Sequence, residues 1–129
     1  MTRDGRQPED VARPRAPYSP VVVSGDLVYT SGQVAFDADG VLVSGEIEVQ
    51  TRQVIDNIER CLAAAGCELD DVVKVTAFLA DLADFETFNR VYSERFAPPY
   101  PARSTVGVRL ADGLLVEIEA VARRAATDR

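Results

Sequence analysis

Pro101-Ala102-Arg103-Ser104-Thr105-Val106, continuing as Gly107-Val108-Arg109-Leu110, is the stretch on which the fold turns. Ala102, Ser104, Val106, Val108 and Leu110 are mostly apolar, while Arg103, Thr105, Gly107 and Arg109 occupy the alternate positions. A period of two predicts a strand with one face toward a core. Arg103 is the unusual member. An arginine at a strand start is ordinarily a surface ion-pair partner. Its planar fork also suits a small carboxylate, which it can hold through two parallel charge-assisted hydrogen bonds.

Val116 to Ala122 repeats the pattern, with Val116, Ile118, Ala120 and Ala122 on one face and Glu117 and Glu119 on the other. Covering the apolar faces with helices would point Arg103, Thr105, Glu117 and Glu119 together, away from those helices. A two-residue Asp112-Gly113 turn would pair Ala111 with Leu114 and mix the charged and apolar faces, so a bulge or a longer loop is expected there. In such a hairpin Glu117 falls several residues from Arg103 along the ladder. A site containing both then calls for a neighbouring subunit or a bend in the sheet.

Upstream, the pattern predicts a strand around Val21 to Val23, a Gly25-Asp26 turn and a second strand from Leu27 to Val34. Asp37 to Gly40 reads as a further turn. Ile47, Thr51, Val54, Ile55, Ile58, Leu62 and Ala65 recur at helical spacing, predicting a helix from about Glu46 to Ala65 that Gly66 ends, with Cys61 packed in the core. Val72 to Leu79 is rich in β-branched residues and reads as a strand. A second helix, about Asp84 to Phe96, has Asp84 as N-cap, a stripe of Phe85, Phe88, Tyr92 and Phe96 that reads as core, and Pro98-Pro99 as its stop. Residues 1–16 lack periodicity and read as a flexible N-terminal extension, residues 17–124 as one domain, and residues 125–129 as a C-terminal tail.

The chain has 129 residues and is 47% hydrophobic, enough for one domain small enough to gain from burying an oligomer interface. Its net charge is −7, which disfavours nucleic acid as a partner. Histidine is absent, so proton transfer falls to carboxylates, hydroxyls, backbone groups or water. Cys61 and Cys67 follow no metal-ligand spacing and read as thiols of a reducing compartment. Met1 to Ala16 has no apolar core of a secretion signal, and no apolar run is long enough for a membrane span. A cytoplasmic protein with no metal, no cofactor and no membrane partner is expected.

Pro17-Tyr18-Ser19, Tyr29-Thr30-Ser31-Gly32-Gln33, Phe85 through Asn89 to Tyr92, Pro101-Ala102-Arg103-Ser104 and Val116-Glu117-Ile118-Glu119-Ala120 fall in the order and at the intervals of one family. Together they resemble the Rid family of reactive-intermediate deaminases, also called YjgF/YER057c/UK114. The resemblance implies an α+β, chorismate-mutase-like domain with a mixed sheet and two helices on one face. It also implies a homotrimer with a site in each cleft between subunits. The implied reaction is hydrolysis of enamines and imines of the 2-aminoacrylate type to 2-keto acids and ammonia.

By the same resemblance, Arg103 is the carboxylate anchor and Glu117 the residue near the attacking water, these two being the catalytic pair. Tyr18, Ser31, Gly32, Asn89 and Thr105 are substrate-binding residues. Read without the family, Glu117 is equally an exposed strand glutamate and Ser31-Gly32 an ordinary strand end. Thr105 stands where many deaminating members carry cysteine, and Val34-Ala35 where Ile-Pro is typical. The alternatives are a non-catalytic trimer binding carboxylate metabolites, and a Rid-type enzyme specialised for an imine or enamine step in a dedicated pathway. A ribonuclease is disfavoured by the acidic charge and the missing histidine.

Overall fold

The expected alternations are realised in the computed structural model, which describes residues 3–125. Its strands are β1 (Asp4–Arg6), β2 (Val21–Ser24), β3 (Leu27–Thr30), β4 (Val72–Leu79), β5 (Ala102–Gly107) and β6 (Val116–Arg123). They form one mixed sheet in the order β1-β2-β3-β6-β4-β5. Helices α1 (Ile47–Ala63) and α2 (Phe85–Arg95) pack on one face, giving the α+β architecture expected. The core lies between: Val21, Val28, Val75, Ala77, Leu79, Val116, Ile118 and Ala122 of the sheet meet Val54, Ile55, Ile58, Cys61, Leu62 and Phe88 of the helices.

Local chemistry sets the element ends. Ser24 pairs with Leu27, so Gly25-Asp26 is a two-residue hairpin turn, and Gly25 supplies the positive φ of 62° that such a turn demands. The strand expected to run to Val34 stops at Thr30, beyond which Gln33 alone bridges to Ile118. Asp84 precedes α2 without capping it. The cap in that region belongs to Asp81, whose carboxylate accepts from the Ala83 amide at 2.9 Å and opens the short turn before the helix. Two buried polar side chains tie loops to α1. Gln50 donates to the Gly113 carbonyl at 2.7 Å and accepts from the Leu115 amide at 2.8 Å, while Asn57 donates to the carbonyls of Val34 and Phe36.

The expected β5–β6 hairpin does not form. β4 lies between these strands, parallel to β5 and antiparallel to β6. Parallel neighbours need a long crossover, which α2 provides, and this leaves the other edge of β4 for β6. The Asp112-Gly113 turn therefore belongs to a connection that Gln50 anchors, and no ladder passes through it.

Strand order also overturns the expected sharing of one face. The parallel register sets Arg103 beside Val75 and Thr105 beside Ala77, both fully buried, so both residues point into the helix layer. The antiparallel register sets Glu117 opposite Phe78 and Glu119 opposite Thr76, on the face that carries no helix. In β5 the expected apolar face, Ala102, Ser104 and Val106, is thus exposed and the helix-covered face is that of Arg103 and Thr105, whereas in β6 Val116, Ile118, Ala120 and Ala122 face the helices as expected. Each strand takes its facing from its own register with β4, and the two registers differ.

The flexible N-terminal extension is corrected as well for its described part, residues 3–16. Asp4, Gly5 and Arg6 pair with Val23, Val22 and Val21 at the edge of the sheet. The Arg6 guanidinium donates to the Ala64 carbonyl at 2.9 Å, just past the end of α1, and Val11 is only 5% exposed within the core. The tail expected at residues 125–129 lies outside the described residues except for Ala125. Deleting residues 1–16 should lower the melting temperature by roughly 5–10 °C, because removing one buried valine alone costs about 2 kcal/mol. An unchanged thermal transition for the truncated protein would contradict this packing.

Candidate functional site

The sequence-derived site residues gather in two groups on opposite faces of the sheet. The first is built around Arg103, half-buried at the start of β5. Its Nη2 donates to Asn89 Oδ1 at 2.7 Å. Its guanidinium carbon lies 4.7 Å from the ring centre of Tyr92, 5.3 Å from that of Phe88 and 5.9 Å from that of Phe85. These are cation–π distances. Phe85, Phe88, Asn89 and Tyr92 follow the spacing of one helical stripe, so α2 presents all four to the arginine. The stripe was read as core alone. Phe88, Tyr92 and Phe96 are core, whereas Phe85 is 41% exposed, and three of the rings also border the arginine.

Two hydroxyls of this group, Tyr92 Oη and Thr105 Oγ1, are buried without a hydrogen-bond partner among the described residues. Burial pushes the Tyr92 phenol up to about 12, against a smaller opposing effect of Arg103. Tyr92 is therefore a neutral donor in any working range. A buried polar group left unpaired costs free energy, and both hydroxyls belong to side chains of the Arg103 group, the Tyr92 ring lying directly against the guanidinium.

The second group lies around Glu117 of β6. Gln33 and Ile118 exchange both backbone hydrogen bonds, at 2.8 and 3.0 Å, which brings Gly32 against Glu117. A Cβ on residue 32 would overlap the Glu117 carboxylate, so glycine is what allows this approach. Ser31 fixes the adjoining segment, its amide donating to the Pro20 carbonyl at 2.9 Å and its hydroxyl to the Ser19 carbonyl at 2.6 Å. Tyr18 stands exposed beside them. A cleft of about 570 Å³ adjoins this group, reaching Tyr18, Gly32 and Gln33 and otherwise walled by residues such as Val11, Arg13, Phe36 and Asn57, without Glu117 among its lining.

Glu117 is half-buried, and its carboxyl is held above the ordinary value near 4.5, first by burial and then by the nearby charge of Glu119. A carboxylate so raised is a better base than a solvated one. Ser31 has a different part from the one expected, since its hydroxyl is engaged by the Ser19 carbonyl and its amide by that of Pro20, which fixes the segment leading to Gly32. Within one chain, Arg103, Asn89 and Thr105 come together, as do Tyr18, Ser31, Gly32 and Glu117. The two sets do not meet.

Sequence reasoning missed Phe85, Phe88 and Tyr92 as the bed of the arginine, and Gln33 as the residue that docks Gly32 on β6. The stripe spacing of α2 was visible, but the same spacing serves a core.

The sequence model of the Endoribonuclease L-PSP family matches residues 9–124. A RutC family protein of Pyrococcus horikoshii is 45% identical over 116 residues, covering 88% of this chain and 92% of its own. The human 2-iminobutanoate/2-iminopropanoate deaminase is 43% identical over 108 residues, covering 82% of this chain and 79% of its own. The crystal structure of YyfA, a protein of the conserved Rid family from Yersinia pestis, superposes with a TM-score of 0.90 at 37% identity, covering 95% of this chain and 99% of that one. The chain belongs to the Rid (YjgF/YER057c/UK114) family.

Proposed function

We propose that the protein is an enamine and imine deaminase acting on 2-aminoacrylate and similar 2-imino acids, as a homotrimer in which the Arg103 group of one subunit faces the Glu117 group of the next. The observation that carries this reading is the division of the site. One group supplies a cation for a substrate carboxylate, the other a raised carboxylate for water, and each is half a site. Joining unlike surfaces of successive copies closes a ring when the rotation allows. The helix-free face supports such an assembly, since Val22, Tyr29 and Val121 lie side by side across β2, β3 and β6, and Phe78 lies beside Val106 across β4 and β5. Tyr29 and Val106 are exposed in the single chain. A patch of this kind on a small subunit favours association.

The chemistry follows from the placement. 2-Aminoacrylate takes a proton at its methylene carbon to become the imine. Arg103 holds its carboxylate through a bidentate pair, with the Thr105 hydroxyl beside it. Glu117 accepts a proton from water as the oxygen bonds to the imine carbon, and the nitrogen takes up a proton. Glu117 then returns its proton to the carbinolamine nitrogen, and as the carbon–nitrogen bond breaks the hydroxyl gives its proton to water and becomes the keto oxygen, releasing ammonia and the 2-keto acid. Net, one water is consumed. The names of the human and bovine relatives, both 2-iminobutanoate/2-iminopropanoate deaminases, support the reaction class. A cytoplasmic location belongs to the same proposal, on the buried thiol of Cys61.

Ammonia release from 2-aminoacrylate generated in situ tests the reading. Release faster than the spontaneous rate supports it, and release at the spontaneous rate with carboxylate binding retained would leave a non-catalytic metabolite-binding trimer. Acceleration confined to other imines would point to a specialised pathway. The endoribonuclease description of the family model finds little support in a chain of net charge −7 without histidine.

A further inference from the structure

Arg103 differs from most of the anchored arginines in the chemistry of its partners, and from Arg124, which donates to the Gly25 carbonyl at 2.7 Å, in lying against aromatic faces. Arg6, Arg52, Arg60, Arg90, Arg95 and Arg123 each reach a carboxylate within 4 Å. Among the described residues, the partners of Arg103 are the amide oxygen of Asn89 and three aromatic faces, all neutral. A guanidinium carries five N–H donors in one plane. Asn89 takes one of them at 2.7 Å, and the ring faces compete for none of the rest. Phe88 is fully buried, Tyr92 is 4% exposed, and Tyr92 is itself stacked on Phe96 with ring centres 4.4 Å apart, so the bed is rigid.

We propose that Asn89 is a positioning residue which, with Phe88 and Tyr92, fixes the plane of the Arg103 guanidinium while leaving its charge uncompensated, and that an amide rather than a carboxylate at position 89 is what makes this an anion-binding site. The inference rests on the reading of Arg103 as the carboxylate anchor. An aspartate at 89 has the same size and the same acceptor atom. It would hold the arginine at least as firmly, but as an ion pair whose field opposes an incoming carboxylate. Geometry and charge are thereby separated: alanine removes the hold, and aspartate keeps the hold but cancels the charge.

The test is calorimetric titration of pyruvate, as an unreactive 2-keto acid, into the full-length protein and its Asn89→Ala, Asn89→Asp and Arg103→Ala variants, with melting temperature and oligomeric state measured alongside. Asn89→Asp should weaken pyruvate binding by more than about tenfold, and by more than Asn89→Ala, which should lose about three- to fivefold. The melting temperature of Asn89→Asp should be unchanged or higher, because the new carboxylate pairs with Arg103. In imine turnover its KM should rise with kcat held within about threefold, the signature of lost anchoring rather than lost chemistry. A purely structural role predicts the reverse order, with Asn89→Ala worst and Asn89→Asp near the parent, and that result overturns the inference. If Arg103→Ala abolishes binding while Asn89→Asp binds like the parent, the inference fails and the anchor stands. If Arg103→Ala itself binds pyruvate normally, both fail.

Discussion

Arg103→Ala is expected to lose at least about a hundredfold in kcat/KM toward carboxylate-bearing imines, since two charge-assisted hydrogen bonds of about 1.5 kcal/mol or more each are removed. The fold should survive. Arg103 is half-buried at the open end of the aromatic bed, and its loss leaves Asn89 near solvent while Phe88, Tyr92 and Phe96 keep their core contacts. Arg103→Lys should recover little, because an ammonium keeps the charge but loses both the fork and much of the stacking on the Phe85, Phe88 and Tyr92 rings. Steady-state ammonia release with a parallel melting curve is the check. Turnover of the alanine variant within about twofold of the parent would remove Arg103 from the site.

Glu117→Gln should lower kcat by about a hundredfold or more, the range ordinarily lost with a general base, while pyruvate binding changes little. Stability should move the other way. The folded protein raises the Glu117 pKa above the ordinary value near 4.5, so the charged form is the one the fold disfavours. The group's favourable contribution is present below that ordinary value and is lost as pH rises through the raised folded value. Glutamine has no such dependence. The variant should melt at or above the parent at pH 7, and the difference should close as pH falls toward 4. The same shift places the acid limb of the parent's pH–rate profile above 4.5, where Glu117 takes up its proton. A variant that is both less stable at neutral pH and fully active would refute the base assignment and the burial argument together.

Local patterns were enough for most of the elements. Val75, Ala77 and Leu79 alternate as a strand must, Ile47 through Leu62 repeat as one helical face, and the observed ends fall within a few residues of the expected ones. The fold and family were legible in five short motifs, and those motifs also marked the residues that gather in the two groups. What could not be read was pairing at a distance. Arg103 and Glu117 have clear parities within their own strands, but whether those parities share a face depends on β4 inserting between them, a long-range choice that no hairpin turn signals. Residues 3–16 were misjudged for a related reason. Val11 and the short strand at Asp4–Arg6 have no periodicity of their own and become ordered by what they land on. The α2 stripe concealed a second role because aromatic residues spaced to fill a core are equally spaced to bed a guanidinium.

The division of the site between faces makes subunit complementation the most direct measurement of the account. Arg103→Ala and Glu117→Gln subunits, each inactive alone, should regain activity when co-expressed and purified together as the whole trimer population. An intact site forms wherever the Arg103 side of a Glu117→Gln subunit meets the Glu117 side of an Arg103→Ala subunit. Random assembly of a cyclic trimer at equal expression makes that so for about a quarter of the sites. Ammonia release at about a quarter of the parent rate is the predicted result. Mixed trimers as inactive as either variant alone would contradict a site shared between subunits.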